Sequence, residues 1–125
     1  MHSEWGLAAG WMGKQAQLAL AHGLPLPALT ACRMAAHFYQ KNGNEAPFAH
    51  YTALGYQAGL DLDEPTLKSS DYGLLARDYY QHLLSEEQMG EAGVVDARLQ
   101  ALYGENWSQT LRPQSKGRLV LSPSL

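Results

Sequence analysis

Isoleucine is absent from this 125-residue sequence, and valine occurs only at Val94, Val95 and Val120. The β-branched aliphatic residues that pack best on a pleated surface are almost missing, which argues against a sheet and for an all-α fold. Cysteine is limited to Cys32, so an internal disulfide is excluded and a reducing compartment fits. No run approaches the roughly 18 apolar residues that suggest a membrane span. Glu4 comes early, and Gly6, Gly10, Gly13 and Lys14 interrupt the next stretch, unlike the positive and then unbroken apolar start of a signal peptide. The expectation is a soluble, cytoplasmic protein. A formal net charge of −3 and a pI near 5.9 give no overall field to hold nucleic acid or an anionic membrane.

Present instead is a chain long enough to bury a core without staples, 46% hydrophobic and rich in Ala, Leu and Tyr. The stretch from Ala46 to Leu60 is apolar nearly all round a helical wheel, with only His50 and Gln57 forming a polar seam. Such a helix belongs at the centre of a bundle, packed from several sides. Before it, Ser3 is placed to cap a first helix that ends near His22, with Gly23 as its stop. Trp5, Ala8, Ala9, Met12, Ala16 and Ala19 give that helix an apolar face, which Leu7, Trp11 and Leu18 widen. Gly6, Gly10 and Gly13 form a smooth stripe, and Gly55 and Gly59 repeat the spacing in the central helix. A close crossing of the first and third helices is therefore expected.

Pro25 and Pro27 separate the first helix from a second, whose polar stripe is Thr30, Arg33, His37, Gln40 and Lys41. Asn42-Gly43-Asn44 makes the second and third helices an antiparallel hairpin. Asp61 to Pro65 reads as a restart, and a break is expected at Ser69-Ser70-Asp71. From Tyr72, the residues Leu75, Ala76, Tyr79 and Leu83 share one face. Ser85 to Gln88 has the spacing of a capping box, so a fifth helix is expected from Glu86 to Tyr103, stopped by Gly104. These readings give a compact bundle of about five helices, mostly up-and-down, over residues 1–104. Residues 105–125 read as a short, irregular C-terminal tail in which every charge beyond Glu105 is positive, with a strand-like segment from Arg118 to Ser122.

Catalytic signals are weak. His2, His22, His37, His50 and His82 include no pair three or four residues apart, and no clustered Cys/His set exists, so no metal or other cofactor is expected. Asp78 and His82 have the spacing of a surface ion pair. Cys32 lies on an apolar face and reads as a buried, inert thiol. The residues around Gly10 and Lys14 lack the first glycine, the hydroxyl residue and the preceding strand of a phosphate-binding loop. The Asn-Gly-Asn hairpin and Ala53 to Tyr56 are similar in style to tetratricopeptide-type repeats. Ala35, Tyr39 and Gln40 match Ala76, Tyr80 and Gln81 at one constant offset, but no period is established and no family is assigned.

Tyrosine is the remaining lead. Tyr80 and Leu84 point to a different side from Tyr79 and Leu83, so one pair meets either a second internal surface or a partner. The reading favoured by these features is a small protein–protein interaction module, an adaptor, inhibitor or accessory subunit, with a homodimer among the candidate assemblies. Its candidate partner-binding residues are Tyr80, Leu84, Trp107, Arg112 and Arg118. The alternative is a ligand-binding or enzymatic bundle with a pocket beside the central helix, lined by Trp11, His50, Tyr51 and Gln57. Nucleic-acid binding through Arg112, Lys116 and Arg118 would need a basic patch that the acidic body does not promise.

Overall fold

A computed structural model of the chain describes residues 4–111; Ser3, Arg112, Lys116 and the strand-like segment 118–122 lie outside them. Among the described residues there are only helices, five long and two short. The long ones are α1 (Glu4–Ala21), α2 (Pro25–Lys41), α3 (Glu45–Gly59), α5 (Tyr72–Ser85) and α6 (Met89–Tyr103), and the short ones are α4 (Glu64–Ser69) and α7 (Trp107–Thr110). The principal contacts run in chain order, α1 on α2, α2 on α3, α3 on α5 and α5 on α6. The apolar central helix is thus packed on both sides, and α1 is the end of the row.

Three of the links are the same backbone device. Gly23, at φ 69°, closes α1 with its N–H donating to the Leu20 carbonyl at 3.0 Å, while the Leu24 N–H donates to Ala19 at 2.9 Å. Gly43, at φ 78°, closes α2 the same way, with the Asn44 N–H donating to Tyr39 at 2.9 Å. These paired bonds satisfy carbonyls that the helix end leaves open, and they need a residue in the left-handed region, where glycine is unstrained. The third link uses Glu87 at φ 60°, with the Gln88 N–H donating to Leu83 at 2.9 Å. This overturns the capping box expected at Ser85 to Gln88: α5 extends through Ser85, and α6 begins at Met89. A side-chain cap and a left-handed turn compete for the same residues, and here the turn prevails.

The second and third turns reveal a repetition that the sequence conceals. Hairpins α2–α3 and α5–α6 correspond at an offset of 44 residues, which places Asn44 on Gln88. At that offset eight buried positions coincide. Ala28, Leu29, Ala31, Cys32 and Ala35 correspond to Tyr72, Gly73, Leu75, Ala76 and Tyr79. Phe48, Gly55 and Ala58 correspond to Ala92, Leu99 and Leu102. The matching residues differ in volume, Ala28 against Tyr72 or Gly55 against Leu99, so identity counting finds instead the three-residue match between Ala35 and Ala76, at 41. Between the hairpins, α4 opens with Asp63, whose carboxylate accepts from the Thr66 N–H at 3.2 Å. The restart at Asp61 to Pro65 and the break at Ser69 to Asp71 are both present.

The core draws its large side chains from α5 and α6, with one each from α2 and α4: Tyr72, Leu75, Leu99, Val95, Leu29 and Leu67 are completely buried or nearly so. Complete burial of a side chain of leucine size contributes roughly 1.5–3 kcal/mol. Glycines let the large side chains in: Tyr72 lies where a Cβ on Gly59 would be, and Leu75 occupies that space at Gly55. The expected glycine-on-glycine crossing of α1 and α3 does not occur. Gly10 has open space beside it, and Gly13 receives the Tyr51 phenol from α3.

Candidate functional site

The two sides of α1 differ in side-chain size. Ala9, Gly13, Ala16 and Ala19 are its buried residues, on the side packed by α2 and, at Gly13, by Tyr51 of α3. Leu7, Trp11 and Leu18 are 65%, 63% and 55% exposed. At 100° per residue these three fall within one narrow stripe opposite Ala9, Gly13 and Ala16, with exposed Lys14 among them. Periodicity alone merges the large and small residues into one broad inward face, and the structure separates them. The small residues face inward because α2 comes close, and the large ones are left outside. Trp5, at the start of α1, stacks on Phe38 of α2 at 5.7 Å between ring centroids. The stripe therefore begins beyond it. Three bulky apolar residues on one line, interrupted by Lys14, differ from scattered exposed leucines, which need no explanation.

Several expected site residues are used internally. Trp107 is buried, with its indole Nε1–H donating to Asp96 Oδ1 at 2.8 Å and its ring meeting Tyr80 edge-on at 5.2 Å. The residue expected on a partner surface is therefore inside: a ring this size, with its only polar atom satisfied, fills the groove between α5 and α6. Tyr80 is half-buried against it, so Tyr79 and Tyr80 serve two sides of one internal helix. Leu84 is partly exposed at the end of α5. Arg112 and Arg118 lie outside the described residues.

The four residues expected to line a ligand pocket do not converge. Trp11, His50 and Gln57 are exposed. Tyr51 is half-buried, stacks on Tyr39 at 5.8 Å and carries the His50 imidazole on its edge at 4.8 Å. Its ring closes the space over Gly13. An open cleft of about 210 Å³ lies elsewhere, between α2, α3 and α5, lined by Gln40, Glu45, Phe48, Asp78, Gln81 and His82. There the expected Asp78–His82 pair is replaced by others: Asp78 binds Arg77 at 2.8 Å, and His82 Nδ1 lies 3.6 Å from Glu45. Arg77 also donates to the Leu111 carbonyl at 2.6 Å, which ties Asp78's partner to the end of α7.

Burial is the main cause of the shifted ionisations in the interior. Burial pushes the Cys32 thiol up to about 12, so it stays protonated and inert near neutrality. Desolvation, followed by the cations of Arg33 and Lys41, lowers His37. Burial raises Tyr72 to about 12 against the opposing pull of Arg98, whose Nε donates to the phenol oxygen at 2.8 Å. Among the described residues no group of three or more His, Cys, Asp or Glu is placed to hold a metal ion, and no helix is long and apolar enough to cross a membrane. No family model, curated protein or solved structure matches the chain.

Proposed function

We propose that the protein is a cytoplasmic interaction module, an adaptor or accessory subunit, whose docking surface is the outer face of α1. The observation that carries this reading is the exposed stripe of Leu7, Trp11 and Leu18 on the terminal helix of the row. Bulky apolar side chains, one of them a tryptophan, are the residue types that anchor protein interfaces, because they release the most water per ordered side chain. Their support by a rigid helix reduces the entropy lost on docking. The aromatic contact expected from the sequence is thereby moved from α5 to the opposite end of the molecule.

The test is affinity capture with the intact chain and with Trp11→Glu, after checking that both unfold at the same temperature. Proteins bound by the intact chain, further copies of itself included, are expected to be lost from the variant. An identical captured set would overturn the reading.

A further inference from the structure

The stripe on α1 has a symmetry of its own. Leu7 and Leu18 are equidistant from a point midway between Met12 and Gly13, and so are Trp11 and Lys14. With a rise of about 1.5 Å per residue, the leucines lie about 8 Å and the inner pair about 2 Å from that point along the helix axis. Their directions around the axis also balance about one line, the two leucines close to it and Trp11 and Lys14 on either side. A two-fold axis through that point brings each of these residues level with the other member of its pair on a second copy.

We infer that the occupant of the outer face of α1 is a second copy of this chain, packed antiparallel through α1 about a two-fold axis at that midpoint. The inference rests on the assignment of α1 as the docking surface and names its partner. In this arrangement Leu7 of each copy lies against Leu18 of the other, and the two Trp11 rings meet beside the axis. Each Lys14 is level with the other copy's Trp11. A lysine cation over an indole face is a complementary pairing, so the one charge inside the stripe is accommodated. A heterologous apolar partner would leave Lys14 to be desolvated without compensation.

The available area is modest. Three large side chains more than half uncovered present on the order of 300–400 Å² per copy, and with the flanking polar residues the pair reaches only the low end of specific interfaces. An area this small fits a weak, concentration-dependent dimer rather than an obligate one.

Sedimentation equilibrium of the purified full chain, from about 1 to 500 μM, reads this directly. The expected result is a monomer–dimer equilibrium that Trp11→Glu weakens about 100-fold and Lys14→Glu about tenfold, each change entering twice across the axis. Register is tested separately with Leu7→Cys and Leu18→Cys: disulfide-linked dimers should form when the two variants are mixed, and with neither alone. Because these positions are on the surface, folding is retained, and the cysteine pair still reports if Trp11→Glu does not fold.

A monomer at every concentration, together with capture of a different protein that depends on Trp11, overturns the self-pairing and leaves the docking surface standing. A monomer with no Trp11-dependent capture overturns both. A dimer indifferent to Trp11→Glu, or Leu7→Cys linking to itself, overturns the antiparallel pairing.

Discussion

The two ends of the helical row treat the same residue type in opposite ways. At the C-terminal end Trp107 is 5% exposed, roofed by Tyr80 and hydrogen-bonded to Asp96. At the N-terminal end Trp11 is 63% exposed. The difference lies in the chain adjoining each end. After α6 the chain turns at Gly104, φ 94°, and lays α7 back across α5 and α6, where Leu111 also fills the space beside Gly73. Beyond α1 nothing among the described residues performs that service. Among the described residues, one tryptophan is covered by a later turn of its own chain and the other is left uncovered.

The largest expected effect separates the ends. Trp107→Ala should cost about 3–5 kcal/mol in denaturant unfolding, the range for deleting a buried aromatic. A loss below about 1 kcal/mol would mean that α7 does not hold its end of the row.

Next comes the alkaline limit, set by the interior between the ends. Tyr72 and Cys32 both have folded values of about 12, against ordinary values of 10.0 and 9.0. A folded value raised above the unfolded one gives stability that is complete below the unfolded value and lost as pH rises through the folded one. Unfolding free energy should therefore fall between about pH 9 and 12, with on the order of 2 kcal/mol from Tyr72. Cys32→Ala should flatten the lower part of that slope, and an unchanged slope would show that the thiol is not the group titrating.

Asp96→Ala removes the acceptor of the Trp107 indole and leaves a donor in a buried place, so about 1–2 kcal/mol should be lost. If instead stability is unchanged, water reaches the indole and the C-terminal end is looser than its packing implies.

At the open end the effects should be small or favourable. Gly10 lies within α1 with open space beside it, so Gly10→Ala should stabilise by up to about 1 kcal/mol. Trp11→Ala should stay within about 0.5 kcal/mol of the wild type in dilute solution, where only the monomer is present. A large loss there would place Trp11 under cover and remove the contrast with Trp107.

Much of the secondary structure is legible from residue pattern because it depends on short-range effects. Pro25 and Pro27 at the start of α2, Gly23, Gly43 and Gly104 at helix ends, and the Asp61 to Pro65 restart all act within a few residues of themselves. The turn at Glu87 is not legible, since a glutamate in the left-handed region carries no composition signal and Ser85 to Gln88 mimics a cap. The candidate surface is legible only in part: Trp11 stands out in the sequence, but as a pocket residue, and Leu7 and Leu18 read as inward.

By itself the sequence determined the helical class, the five long segments and the apolar central helix, because propensity and periodicity are properties of neighbouring residues. Only the tertiary structure decided which apolar residues are inside. Ala9 and Trp11 belong to the same apolar stretch of α1, and both are acceptable on a buried face. Their fates separated because α2 approaches the side of α1 whose small residues allow close packing, and that proximity is a relation between two helices that neither sequence segment contains.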